Sequence, residues 1–391
     1  MNVGVSSSCP PSPLFPLSFE MLALHHKMII NKTQKLRGRV PHHYAGYHGP
    51  WIEEVWIETF IEEPYETFYP LVPLFIEITN FCVAGDVAGL VDLFLNVLRR
   101  DVLYLVVIQH DETLCFFNQS WVRENAKCGL RNVLILSSGG YGNVALPLIK
   151  GGLKIGDRGH GVVNSVEVGS KSYDFAFGFA GKLGTHKSGF RFAVIDEIRN
   201  AIRQDNLSFL PSHVLVYEGG DEWKGKMADS MLPLTPRGYG RASFRSSEII
   251  QLGLPQLYLY DDFPWLPYFD PSWPFGRLGR QIIWGEGGLG FAANLSGLKS
   301  IVKQMCLRSD LSRDEFCLSG HHNSVPPFTI SKESALAKMG HRARELADSH
   351  FTYAGVMNRI REWLKQPLDA DLVCVALPHT RIGTGGGEGY E

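Results

Sequence analysis

Residues 234–262, LTPRGYGRASFRSSEIIQLGLPQLYLYDD, set three arginines and a glutamate around a glycine-rich turn that leads into an apolar strand. Pro236, Gly238 and Gly240 punctuate the turn. Ser243 stands where a helix would be capped or begin, and Gly253 with Pro255 would stop that helix near Leu252. Arg241, Arg245 and Glu248 then fall at i, i+4 and i+7 on one helical face, with both cations at the positively polarised end. That face suits an anion. A diphosphate would accept backbone N–H bonds at the helix start and charge-assisted bonds from arginine, while Glu248 would accept bonds from the hydroxyls of an attached ribose. The same spacing equally serves a surface i,i+3 salt bridge between Arg245 and Glu248, worth roughly a few tenths of a kcal/mol.

A second turn of the same character lies upstream. In FAFGFAGKLGTHKSGFRFAVIDEI (175–198) a strand gives way to Gly181, Lys182, Gly184, Thr185, His186, Lys187 and Gly189, and a helix starts near Phe190 with Arg191 in its first turn. Standing alone, this loop reads as readily as a solvated surface loop. Two basic, glycine-rich loops at helix starts, each at the carboxyl end of a strand, converge on one crevice and favour a nucleotide-type ligand. A rival site lies in the first half, where Gly140, Gly142 and Ala145 of GYGNVA match the G-x-G-x-x-A fingerprint of an NAD(P)-binding protein. Pro147 argues against it, because it would interrupt the helix that the fingerprint must open. No G-K-[ST] follows a glycine cluster, and neither G-x-S-x-G nor H-E-x-x-H occurs, which excludes P-loop, nucleophile-elbow and zincin motifs. The histidine pairs His42–His43 and His321–His322 lack partners at ligand spacing. Seven cysteines without a CxxC indicate neither a metal cage nor a disulfide framework, so the metal-ligand expectation is none.

The elements that must hold these loops alternate along the chain. DVLYLVVIQHDE (101–112) and RNVLILSSGGYG (131–142) are short apolar runs ending in polar or glycine-rich turns, separated by helix-like segments, the pattern of parallel βα units. IKGGLKIGDRGHG (149–161) reads as a boundary. A second alternating set follows: YDFAFGFAG as strand and turn, FRFAVIDEIRNAIRQ as an amphipathic helix, SHVLVYEG as a strand, the arginine loop, and QLYLYDD as a strand. Residues 331–366 read as two helices, and the tail ending RIGTGGGEGYE as flexible. The expected division is a poorly ordered segment over 1–40, α/β domains over 41–165 and 166–330, helices over 331–366 and a flexible tail over 367–391.

With 391 residues, 45% of them hydrophobic, the chain is long enough for two cores. A formal net charge of −2 provides no global field for nucleic acid or anionic membrane, so nucleic acid is not an expected partner and any anion site is local. The amino terminus is broken by prolines, a glutamate and a histidine pair, and fails as a signal peptide or membrane anchor. Four N-x-S/T sequons, at Asn31, Asn118, Asn206 and Asn294, exceed the roughly two expected by chance and leave secretion open.

Residues 227–270 resemble a region of exostosin-type glycosyltransferases that reads M-x-x-S, small apolar residues, P-x-G, serine and arginine, then E-x-x-x-x-G-x-x-P and a strand. Ser230, Pro236, Gly238, Arg241, Ser243, Arg245, Glu248, Gly253 and Pro255 take those places. GPWIEEVWIETF (49–60), FYPLVPLFIE, LVVIQHDE, VLILSSGGYGNVALPLI, the F-x-G and Thr-His of residues 179–186, and HFTYAGVMNRIREWL (350–364) extend the similarity over roughly residues 47–365. The family usually places an arginine soon after Thr-His. Here KSGF separates His186 from Arg191, which puts the role of Arg191 in doubt.

The resemblance implies a GT-B architecture: two Rossmann-like domains facing across a cleft, with the last helices crossing back to the first. The first domain would bind a glycan or glycoconjugate acceptor and the second a nucleotide sugar, commonly a UDP-sugar, with no tightly bound cofactor. Carried over, Arg241 and Arg245 would meet the diphosphate, Glu248 the ribose, and Gly181 with Lys182 would line the donor crevice. The family's inverting reaction is a single displacement, in which a base deprotonates the acceptor hydroxyl as it attacks the anomeric carbon and UDP leaves. Asp111, in a turn after LVVIQH, is the first candidate for that base and Glu53 or Glu54 the second, although carboxylates at strand ends also cap helices. Trp265 is a candidate sugar platform that would equally serve packing. The family implies a Golgi or secretory location, with membrane association only through a segment not seen in this chain. The competing expectation is a non-catalytic nucleotide- or carbohydrate-binding relative.

Overall fold

The computed structural model describes residues 17–38, 47, 49–99, 101–111, 132–140, 142, 144–150, 170–173, 175–184, 189–204, 214–220, 222–261, 264–268, 289–298, 301, 328–331 and 335–365. Among them, helices accompany two parallel sheets, an α/β arrangement compatible with two Rossmann-like units. The first sheet runs in the order β1 (Val72–Leu74), β2 (Tyr104–Ile108), β3 (Val133–Ser137), β4 (Val144–Ala145), every neighbour parallel. β2 is buried along its whole length, as expected of a parallel strand covered on both faces. Its alternate residues enter different cores. Tyr104, Val106 and Ile108 meet Leu22 and Ile29 of α1 (Phe19–Thr33), whereas Leu105 and Val107 meet Ile52, Trp56 and Phe60 of α2 (Ile52–Phe60).

α1 corrects the expectation of poor order across 1–40, at least for residues 19–33. Ser18 caps it, its Oγ accepting the amide of Met21 at 3.3 Å. The pair His25–His26 reads as polar but faces inward. His25 Nε2 lies 2.8 Å from the Tyr104 hydroxyl, and burial pushes His26 down to about 4, so both rings sit in the core as neutral groups at neutral pH. Downstream of β1 come α3 (Ile78–Ala84), α4 (Ala88–Asp92) and a π-helical turn over Leu93–Val97. The sequence indicated no disulfide framework, yet Cys82 in α3 is disulfide-bonded; the other six cysteines lie outside the described residues.

The second sheet runs in the order β10-β9-β8-β6-β7, again parallel throughout. Its strands are β6 (Phe175–Ala180), β7 (Val214–Tyr217), β8 (Ser230–Pro236), β9 (Gln256–Tyr260) and β10 (Gly290–Asn294). A separate ribbon pairs β5 (Ser170–Tyr173) with β11 (Phe328–Ser331) antiparallel. α5 (Phe190–Gln204) connects β6 to β7, α6 (Trp223–Ala228) connects β7 to β8, and α7 (Phe244–Gln251) connects β8 to β9. From β6 the chain first builds outward to β7, then reverses and adds β8, β9 and β10 on the other side. The reversal falls between β6 and β8, and a crevice opens beyond the carboxyl ends of strands at such a switch.

α8 (Ala335–His350) and α9 (Tyr353–Leu364) close the described chain. Ala343, Leu346, Val356, Met357, Ile360 and Trp363 of these helices share one apolar core with Leu105 and Leu136 of the first sheet, with Tyr258 of the second and with Ile250 of α7 beside it. Polar contacts follow the same seam: the Tyr353 hydroxyl donates to the Pro50 carbonyl at 2.7 Å, and Arg361 Nη2 lies 3.2 Å from Glu63 Oε1. The boundary at 149–161 and the tail at 367–391 lie outside the described residues, apart from residues 149 and 150.

Gly253 ends α7 in the left-handed region at φ 72, where a Cβ would lie 2.0 Å from Arg344 Cγ of α8. Its amide donates to Ile250 O at 2.9 Å and that of Leu254 to Ile249 O at 3.1 Å. Gly253→Ala is expected to lower stability by about 1–2 kcal/mol, because the side chain meets both the left-handed penalty and Arg344. Urea denaturation checks this, and an unchanged midpoint would contradict the described helix ending.

Candidate functional site

Both basic loops emerge at the switch between β6 and β8. After β6, Gly181 turns at φ 151 and its amide donates to Tyr217 O at 2.9 Å. The Leu183 amide donates to Glu218 Oε1 at 3.3 Å, tying this loop to the end of β7. Lys182 is exposed, and its carbonyl accepts from Arg191 Nη1 at 2.7 Å. Thr185 and His186 lie outside the described residues. Arg191, left in doubt by the sequence, stands in the first turn of α5 and also directs Nε to Arg237 O at 3.3 Å. A single side chain thereby links the two loops.

The loop after β8 is wound on its own guanidinium. Arg237 is buried, donates to Gly240 O at 3.0 Å and to Tyr239 O at 2.8 Å, and pairs with Asp261 Oδ1 at 2.6 Å. Gly238 N closes the turn on Ala242 O at 2.8 Å. Ser243 follows as N-cap in extended conformation, with no capping bond from its side chain.

Arg245, the second residue of α7, reaches back to β6. Its Nε donates to Ala180 O at 3.1 Å, and its guanidinium carbon lies 3.6 Å from the centroid of the Trp223 ring. Nη1 forms an ion pair with Glu248 Oε2 at 2.9 Å, although the two groups are not aligned as a hydrogen bond. Glu248 therefore takes the i,i+3 pairing that the spacing allowed, although in a buried setting. Burial pulls Arg245 below its usual range, with Glu248 opposing, and burial followed by the charge of Arg245 does the same to Arg191. A bound anion would relieve both.

Arg241 is not where the helical spacing placed it. The helix begins at Phe244, so Arg241 lies before its cap and belongs to the contact between the two sheets' loops. Its carbonyl accepts from the Tyr258 hydroxyl at 2.5 Å. A Cβ on Gly140 would lie 2.4 Å from Arg241 N, and one on Gly240 would lie 2.1 Å from Gly139 O and 2.7 Å from Asp111 Oδ1. Asp111, at the carboxyl end of the first sheet, thus abuts the arginine loop of the second. Of the glycines of GYGNVA, Gly140 serves this close approach and Gly142 packs against Ile135 and Ser137 of its own sheet, and Val144–Ala145 continues as β4 rather than as a helix, so the dinucleotide fingerprint is not realised.

The other expected residues separate from this crevice. Glu53 has no exposed surface; its Oε1 accepts the amide of Thr79 at 3.1 Å and also the Thr79 hydroxyl, capping α3. Glu54 accepts from Trp51 N at 3.2 Å and from Asn80 Nδ2 at 3.1 Å. Trp265 is buried with Leu148 and Ala242, a packing role rather than an open platform. Among the described residues no cluster of His, Cys, Asp or Glu is arranged to hold a metal ion, and no helix is long and apolar enough to cross a membrane. Reasoning from sequence missed Trp223, for which a lone tryptophan offered no signal, and Arg237, whose place in the loop was visible but whose inward turn was not. No family model matches the chain, and no curated protein matches it significantly.

Two substitutions test this geometry. Gly240→Ala is expected to cost about 2 kcal/mol or more, since the new Cβ meets backbone that cannot rotate away; a wild-type melting temperature would contradict the contact. Burial pushes the Glu53 carboxyl from 4.5 up to about 7, against hydrogen bonds that favour its ionised form. The fold therefore holds this proton more tightly than the unfolded chain does, and the stability it contributes is lost as pH rises from about 4.5 through about 7. His26, His110 and His350, each pushed by burial from 6.5 down to about 4, act oppositely, losing stability as pH falls across that range. Glu53→Gln isolates the carboxyl: relative to the variant, the wild type should lose up to about 3 kcal/mol between pH 4.5 and 7.5 in urea titrations.

Proposed function

We propose that this chain is an inverting glycosyltransferase of the exostosin type, with a GT-B arrangement and a nucleotide-sugar donor, UDP-linked by family resemblance. The observation that carries the reading is the placement of Arg245 and Arg191 together at the carboxyl ends of β6 and β8, where the strand order reverses and α7 begins. In this reading the diphosphate lies against Arg245, Arg191 and the Gly181 turn, and the arginines stabilise the charge that the leaving UDP gains in the transition state. Asp111 comes from the opposite sheet and serves as the base for the acceptor hydroxyl. Its packing against Gly240 requires the two loops to part before an acceptor enters. The disulfide at Cys82 supports an oxidising, secretory location, because such bonds persist there and are rare in reducing compartments.

A second reading, nucleotide binding without transfer, draws on the complete burial of Glu53, which leaves Asp111 as the candidate base that reaches the junction. UDP at 100 times its dissociation constant should add about 2.7 kcal/mol of apparent stability. That gain is expected to vanish in Arg245→Ala, and donor-dependent UDP release is expected to vanish in Asp111→Asn while UDP binding persists. Stabilisation by NAD or NADP alone would overturn the transferase reading, and UDP binding without any donor turnover would favour the second one.

A further inference from the structure

Outside both loops, an aromatic side chain lies against the Arg245 guanidinium. Trp223 opens α6 and packs, with Leu215 and Tyr217, against the cluster of Met227, Ile249 and Leu252. Its indole is thus braced by α6 and by α7, the helix that carries Arg245. The Arg245 guanidinium carbon stands 3.6 Å from the ring centroid, while Nε is held 3.1 Å from Ala180 O. Stacking uses the face of the guanidinium and leaves its in-plane N–H groups, the ones that pair with phosphate oxygens. Glu248 holds one edge of the guanidinium, its Oε2 lying 2.9 Å from Nη1, but offers nothing to the face, which only Trp223 covers among the described contacts.

We propose that Trp223 is a positioning residue for anion recognition, holding the Arg245 guanidinium edge-on to the phosphates of a nucleoside diphosphate. This rests on the donor-site reading above and goes beyond it by assigning the orientation of the key arginine to an indole that acts through Arg245 rather than by touching the ligand. A lysine in place of Arg245 would lack the planar face and lose the stack, and a leucine in place of Trp223 would leave the guanidinium held only at its edge, by Ala180 O and Glu248.

Isothermal titration with UDP tests the assignment on the full chain as wild type, Arg245→Ala, Trp223→Leu, Trp223→Phe and the Trp223→Leu, Arg245→Ala double variant. Trp223→Leu is expected to weaken UDP about five- to tenfold, and Trp223→Phe, which keeps a ring face, by no more than about threefold. The double variant should bind no more weakly than Arg245→Ala, because the indole acts only through the arginine. If Arg245→Ala weakens UDP while both Trp223 variants bind normally, or if the two losses add, the role of Trp223 is overturned and the donor site stands. If wild type does not bind UDP, or Arg245→Ala leaves binding unchanged, the donor-site reading falls and this inference with it. Should Trp223→Leu fail to melt cooperatively, Trp223→Met against Trp223→Phe provides the same comparison.

Discussion

Backbone meets backbone where the carboxyl edges of the two sheets come together, and the candidate site depends on that contact. Gly139 and Gly140 follow β3, Gly240 and Arg241 follow β8, and the space between them is smaller than a methyl group requires. Only glycine permits so close an approach at Gly140 and Gly240, while the missing Cβ of Gly139 faces the His110 and Gln109 carbonyls of its own sheet, and together these residues decide where Asp111 lies relative to the arginine loop. The apolar core behind them extends the same constraint. α2, α8 and α9 bury their faces together, with first-sheet and second-sheet residues in one cluster, so one apolar core runs behind both sets of loops.

In front of that core the chain gathers cations where a parallel sheet changes direction. Each guanidinium has a distinct task. Arg237 winds the loop and pairs with Asp261, Arg191 links the two loops through their carbonyls, and Arg245 stacks on Trp223 while pairing with Glu248. Holding two desolvated arginines near each other costs stability, as the depression of both shows. Sites that bear such a cost are commonly the ones that bind a partner of opposite charge. The first half treats charge in the opposite way: Glu53, Glu54 and Asn80 are engaged in hydrogen bonds that fix α2 against α3.

Much of the framework was legible from residues alone. The apolar, β-rich runs at 104–108, 133–137 and 256–260 read as strands and are buried strands, and Gly253 with Pro255 marked the end of α7 because a left-handed glycine stops a helix. Pro147 signalled that GYGNVA would not open a helix, and the chain there is extended. α1 was missed because a histidine pair and nearby prolines read as polar and broken, whereas burial keeps both imidazoles neutral.

Local sequence determined which segments form strands, helices and glycine-rich turns, since those depend on period, caps and the conformational limits of glycine and proline. Tertiary structure decided which charges meet. Spacing joined Arg241 to Arg245, but the helix begins after Arg241, and it is Arg191, on the helix that follows β6, that shares the crevice with Arg245. Likewise, spacing could not find the Trp223 face beneath Arg245 or the complete burial of Glu53. Those pairings arise from strand order and from how closely two glycine turns can approach, both long-range properties that no run of neighbouring residues encodes.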